Sequence, residues 1–147
     1  MLGYNGEMTY EPRYLAGIVL FNRHDYFEAH EVWESLWLSE SVGADRRFVQ
    51  GLIQAAVGLY HFGNGNLRGA LKLYKSGRAY MEAYPSPHLG MDRAAFWDAM
   101  ERCYAKLLAA SNEAEVIRLE ERLRPTIELT PPPDSWPDPA QFLDEEE

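Results

Sequence analysis

Two short stretches carry the side chains best suited to chemistry. In YFEAHEVWESLW, residues 26–37, the imidazole of His30 and the carboxylates of Glu31 and Glu34 stand among aromatic and aliphatic residues. In FVQGLIQAAVGLYHF, residues 48–62, only Gln50, Gln54 and His61 interrupt an otherwise apolar or small run, apart from the Tyr60 hydroxyl. At roughly 100° per residue, positions 50, 54 and 61 fall on one narrow helical stripe. His30 and Glu34 are four apart, at the margin of the apolar side that Ala29, Val32, Trp33 and Leu36 mark. A buried carboxylate without partners costs several kcal/mol, so the two polar margins are expected to face each other. The expectation is one interior cluster of His30, Glu34, Gln50, Gln54 and His61, with Glu31 at its mouth.

Three kinds of chemistry fit such a cluster. A divalent metal could take His30 and Glu34 from one helix turn and His61 from across the interface. The spacing matches no established motif: HEVWE puts Glu34 where H-E-x-x-H needs histidine. The Glu-x-x-His of carboxylate-bridged bundles is also absent, because Glu28 and His30 are only two apart. Metal-free acid–base chemistry is the second option. A carboxylate against Trp and Phe would have its pKa raised, and a neighbouring imidazole could act as base, making His30, Glu31 and Glu34 catalytic and Gln50, Gln54 and His61 ligand-binding. The third is purely structural: a paired hydrogen-bond network that fixes helix packing. No nucleophilic serine motif, phosphate loop or dinucleotide glycine pattern occurs.

The elements that must position these residues are helical. Pro12 suits a first turn, and residues 11–22 carry an apolar side. Asp25 with Glu28 three residues on reads as a capping box opening a helix that reaches about Ser39. Asp45 is placed to cap the next helix, which ends near Phe62. GNGN, residues 63–66, is the clearest break: Gly63 or Gly65 can turn left-handed and Asn66 can cap residues 67–84. PSPHLG ends that helix. Asp92 caps a fifth, and residues 112–124 either continue it or form a sixth. From Pro125 onward the prolines exclude helix and central strand, leaving an extended arm held by Ile127, Leu129 and Trp136. The fold class expected is all-α, a compact array of five to six helices over residues 1–124, with a Pro-rich, acidic arm over residues 125–147.

Composition sets outer limits. The chain has 147 residues, 46% of them hydrophobic, and a formal charge of −9. Such a balance gives a globular core and opposes wholesale binding to nucleic acid or anionic membrane. The acidic residues 144–147 read as a solvated tail. One cysteine, Cys103, excludes an internal disulfide and a cysteine metal cluster. No signal-peptide pattern opens the chain and no stretch has the length of an apolar span, so a cytoplasmic protein is expected. Self-association stays open: Trp97, off the main apolar side of its helix, marks either a subunit contact or ordinary packing under the arm. Arg68, Lys72 and Lys75 form a basic stripe that reads as a solvated face.

The same residues resemble a known family, catalogued as domain of unknown function 309. Tyr26, Phe27, His30, Glu31, Glu34 and Trp37 look like its first signature. Gln50, Gly51, Gln54 and His61, followed by the Gly65–Asn66 turn and Ala70, look like its second. The resemblance covers about residues 14–92. It implies a compact helical array, typical of small bacterial and archaeal proteins, with a shared polar site and no assigned activity. Two function classes follow: a small-ligand or metal-binding enzyme, or a structural and interaction module.

Overall fold

The computed structural model describes residues 9–110 and 116–143. The acidic end 144–147, the opening segment 1–8 and the start of the doubtful stretch 112–124 lie outside the described residues. Among the described residues five α-helices form: α1 (Pro12–Asn22), α2 (Tyr26–Leu38), α3 (Arg46–Gly63), α4 (Leu67–Glu82) and α5 (Arg93–Ala109). Short 3-10 turns cover Glu40–Asp45, Glu121–Leu123 and Pro139–Phe142. No strand forms among the described residues, only isolated bridges from Met91 to His88 and to Leu129. The all-α expectation holds. Residues 116–120 are not helical, so α5 is not prolonged through them.

The helix ends show how the chain is folded back on itself. α1 and α3 both close with paired backbone bonds. Asp25 N–H reaches Leu20 O at 2.9 Å with His24 left-handed at φ 69°, and Asn66 N–H reaches His61 O at 2.9 Å with Gly65 at φ 80°. Both are Schellman turns, which satisfy carbonyls the helix leaves unpaired. Glycine takes that conformation without steric cost; His24 takes it from one of the non-glycine types enriched there. Asn66 then caps α4 by accepting from Gly69 N–H at 3.0 Å, and Asp92 caps α5 from Ala95 N–H at 3.0 Å. Two expected caps fail. Asp25 makes no side-chain cap bond, so the capping box with Glu28 does not form. Asp45 makes none either, because its carboxylate goes to His88 Nε2 at 2.8 Å, across 43 residues.

α3 is the central element, with α2 on one flank and α4 on the other. Phe48, Leu52, Ala55, Leu59 and Phe62 turn to the core. Gly51 and Gly77 let α3 and α4 approach until backbone meets backbone: a Cβ on Gly51 would lie 2.9 Å from Gly77 O. Trp97 is 1% exposed and packs on α4, its indole N–H against Met81 Sδ at 3.3 Å and its ring across Tyr74. It is core packing, which corrects the expectation that it marks a subunit contact. The arm lies against α1 and the Gly90 turn. Asn22 clamps it, its amide donating to Ile127 O at 2.9 Å and accepting from Ile127 N–H at 2.8 Å. Thr130 N–H bonds Gly90 O at 2.8 Å, and Tyr10 OH donates to Pro131 O at 2.6 Å. Ile127 and Leu129 are buried as expected; Trp136 stays 43% exposed.

Candidate functional site

The expected single interior cluster does not form. No polar or charged residue is buried among the described residues. The reason lies in α3. Its apolar run is covered by the core, α2 and α4, but one side stays open. The stripe of Gln50, Gln54 and His61 lies roughly 180° around the helix from Leu52, Ala55 and Leu59 at 100° per residue. The polar seam therefore runs half-buried along the rim beside α4.

The six residues separate into three local arrangements. His30 is tied to its own helix. Its Nδ1 lies 3.0 Å from Phe27 O, an acceptor only, so this nitrogen carries the proton. Its Nε2 lies 3.4 Å from Glu34 Oε2, an ion pair when the ring is protonated. The Glu34 side chain is 52% exposed and Glu31 is exposed, so the burial that the acid–base reading needs is missing. Gln54 turns to α4, its Oε1 accepting from Ser76 Oγ, with half-buried Gln50 one turn away. His61 turns to the α3–α4 corner, where Asn66 Nδ2 lies 3.4 Å from its Nδ1. His30, Glu34 and His61 are thus not the three-ligand set expected for a metal. Among the described residues no group of three or more His, Cys, Asp or Glu is placed to hold one.

What joins the two histidines is aromatic. The rings run in a row, His30–Phe27 at 5.2 Å, Phe27–Tyr60 at 5.5 Å and Tyr60–His61 at 6.0 Å between centroids. Phe27 is 45% and Tyr60 40% exposed, and Leu38 at the other end of α2 is 67% exposed. Offset ring pairs of this kind stabilise by about 0.5–1.5 kcal/mol beyond area burial, enough to hold the row in place while leaving its outer surface to solvent. Trp37 stands apart from the row, at the foot of α2. It is half-buried under the Arg46 guanidinium, 5.0 Å from its centroid, and Arg46 Nη1 donates to Trp37 O at 2.6 Å. Phe27 and Tyr60 were not singled out as site residues. Their signal was there: position 27 falls well off the side marked by Ala29, Val32 and Leu36, and Tyr60 stands next to His61 on the open side of α3.

A large hollow among the described residues lies elsewhere. It holds about 680 Å³ and is lined by Ser86, Asp92, Phe96, Thr126, Glu128 and Thr130, between the α4–α5 turn, α5 and the arm. Asp92 in it is held below the usual carboxylate range, first by the Ala95 N–H bond and then by Ser86, which is the electrostatics of its helix cap. None of the six expected site residues lines it.

The segment that builds the ring row also carries the likeness to known proteins. Residues 14–73 match the family model described as Domain of unknown function (DUF309). The resemblance read from the two signatures holds. The DUF309 match takes in α1 from Tyr14 onward, α2 and α3 whole and α4 as far as Leu73, so it contains His30, Phe27, Tyr60 and His61 and stops before Ser76. Similarity reaches further along the chain. YpuF of Bacillus subtilis (strain 168), described as an uncharacterized protein, is 29% identical over 140 residues, which is 89% of this chain and 79% of that protein. No described helix is long and apolar enough to cross a membrane.

Proposed function

We propose that the chain is an interaction module whose contact surface is the outer face of α2 and α3. The observation that carries this reading is the exposed ring pair of Phe27 and Tyr60, flanked by His30 and His61. Aromatic rings are the residues that dominate contact energy at protein interfaces, and a soluble protein seldom groups them on a free surface without a use. Three of the large exposed apolar residues, Phe27, Leu38 and Tyr60, belong to these two helices. Glu31 and Glu34 beside the rings oppose a phosphate backbone, which favours a protein partner over nucleic acid. On this reading His30 and Glu34 are rim groups that shape and charge the face, and Gln54 and His61 fasten α3 to α4 behind it. The small-ligand and metal alternatives draw no support from the arrangement of these residues.

Site-directed photo-crosslinking tests the reading. Benzoylphenylalanine replacing Tyr60 in the full chain, irradiated in the native cells, is expected to give discrete adducts. Phe27→Ser should abolish them. The same group replacing Leu108, which is 39% exposed on α5, should give none. Equal crosslinking from positions 60 and 108, or adducts from 60 that ignore Phe27→Ser, overturns the reading.

A further inference from the structure

Charge on this side of the molecule is sorted by helix. α2 carries Glu28, Glu31 and Glu34 and no lysine or arginine. α4 carries Arg68, Lys72, Lys75 and Arg78, with Glu82 as its one carboxylate. α3 between them has no carboxylate. Arg78 is engaged by Glu82 and Glu101 at 3.5 and 2.9 Å. Lys72 and Lys75 are exposed, as are Glu31 and Glu34.

The levels of these charges along α3 also correspond. Phe27 meets Tyr60 near the top of α3 and Trp37 meets Arg46 at its foot, so α2 runs antiparallel to α3. At 1.5 Å per residue, Glu31 and Glu34 lie about 6 and 10 Å below Phe27. The same descent along α3 from Tyr60 reaches the span between Ala56 and Ile53. On the other flank, Gly58 approaches Leu73 and Gln54 bonds Ser76, which places Lys75 in that span and Lys72 about one turn above it.

An acidic strip and a basic strip at overlapping heights, on either side of the exposed Phe27–Tyr60 ring pair, form a self-complementary surface. We propose that the occupant of this face is a second copy of the chain, related by a twofold axis running along α3. Glu31 and Glu34 of each copy then meet Lys72 and Lys75 of the other, and the ring row is covered at the centre. A twofold axis crossing the helices instead would stack α2 on α2, carboxylate against carboxylate, so the charge pattern selects the first. The proposal rests on the reading of the α2–α3 face above and names its partner.

Sedimentation equilibrium of the purified full chain at low salt tests it. The wild type is expected to be dimeric and to dissociate as salt rises, because exposed pairs are screened. Glu31→Lys/Glu34→Lys and Lys72→Glu/Lys75→Glu should each keep the helical spectrum and weaken self-association by about 100-fold or more. Mixed in equal amounts, the two variants should dimerise again, since both seams are then complementary. A wild type still monomeric at about 1 mM, reversed variants that each dimerise normally, or a mixture that stays monomeric overturns the proposal. A monomeric wild type whose position 60 still crosslinks to another protein removes only the second copy. Position 60 without specific adducts removes the face itself.

Discussion

Gly51→Ala sets two effects of known size against each other. In a helix interior alanine is favoured over glycine by roughly 1 kcal/mol, so propensity alone predicts a stabler protein. The structure predicts the reverse. The new methyl would stand 2.9 Å from both Met81 Sδ and Gly77 O, and would press on Met81 Cγ as well. Met81 is flexible, but it is fully buried, and the Gly77 carbonyl belongs to the α4 backbone and cannot swing aside. The helices must part by a few tenths of an ångström, which loosens the Gln54–Ser76 bond. Overpacking of this kind costs about 1–3 kcal/mol. The expected net loss is up to about 2 kcal/mol, or a melting point lower by as much as roughly 6 °C for a chain of this length. Gly63→Ala is the control. Its methyl meets only Leu119 Cδ2, at 3.8 Å, so relief of glycine's chain entropy should stabilise it by up to about 1 kcal/mol. Both are read from thermal unfolding followed by circular dichroism. A Gly51→Ala protein that melts at or above the wild type would refute the close α3–α4 contact, and with it the argument for why the polar stripe sits at an open rim.

Two further outcomes follow from the same geometry. Asn22→Ala removes both bonds to Ile127 and leaves that peptide group partly unpaired, so stability should fall by about 1–3 kcal/mol, and hydrogen exchange at the Ile127 amide should accelerate more than at the core of α3. The Cys103 thiol is pushed up to about 11, chiefly by burial, with Arg124 opposing and Glu120 assisting. The unfolded thiol ionises near its ordinary value of 9.0, so the folded form binds the extra proton above that point. Its contribution to stability is therefore full below pH 9 and is lost as pH rises from about 9 to about 11. A urea midpoint that stays level over that range would contradict it, as would rapid alkylation of the folded protein at pH 8.

The helix plan was legible because its signals are local. Pro12, the GNGN turn and Asp92 act within four residues of themselves, and α1, α4 and α5 begin where these residues say. Asp45 shows where local reading fails: the same carboxylate that could cap α3 is taken by His88, far along the chain. The site failed for a related reason. Gln50, Gln54 and His61 share a stripe, and the sequence shows that much. Whether the stripe faces a neighbour or the open rim depends on which side of α3 the other helices cover, and composition around a nearly all-apolar helix does not tell them apart. Gly51 and Gly58 are points of close approach, and the approaching partners are α4 and Tyr104, which places the stripe beside that contact and outside it. Phe27 and Tyr60 were passed over because aromatic residues at helical spacing are more often core.

The claim that the outer face of α2 and α3 closes against another copy is tested most directly by hydroxyl-radical footprinting of the purified chain at low and high protein concentration. Labelling of Phe27, Leu38 and Tyr60 should slow as concentration rises, while Leu108 and Trp136, exposed on other surfaces, label at an unchanged rate. If all five side chains label alike at both concentrations, that face stays open to water and the account is wrong.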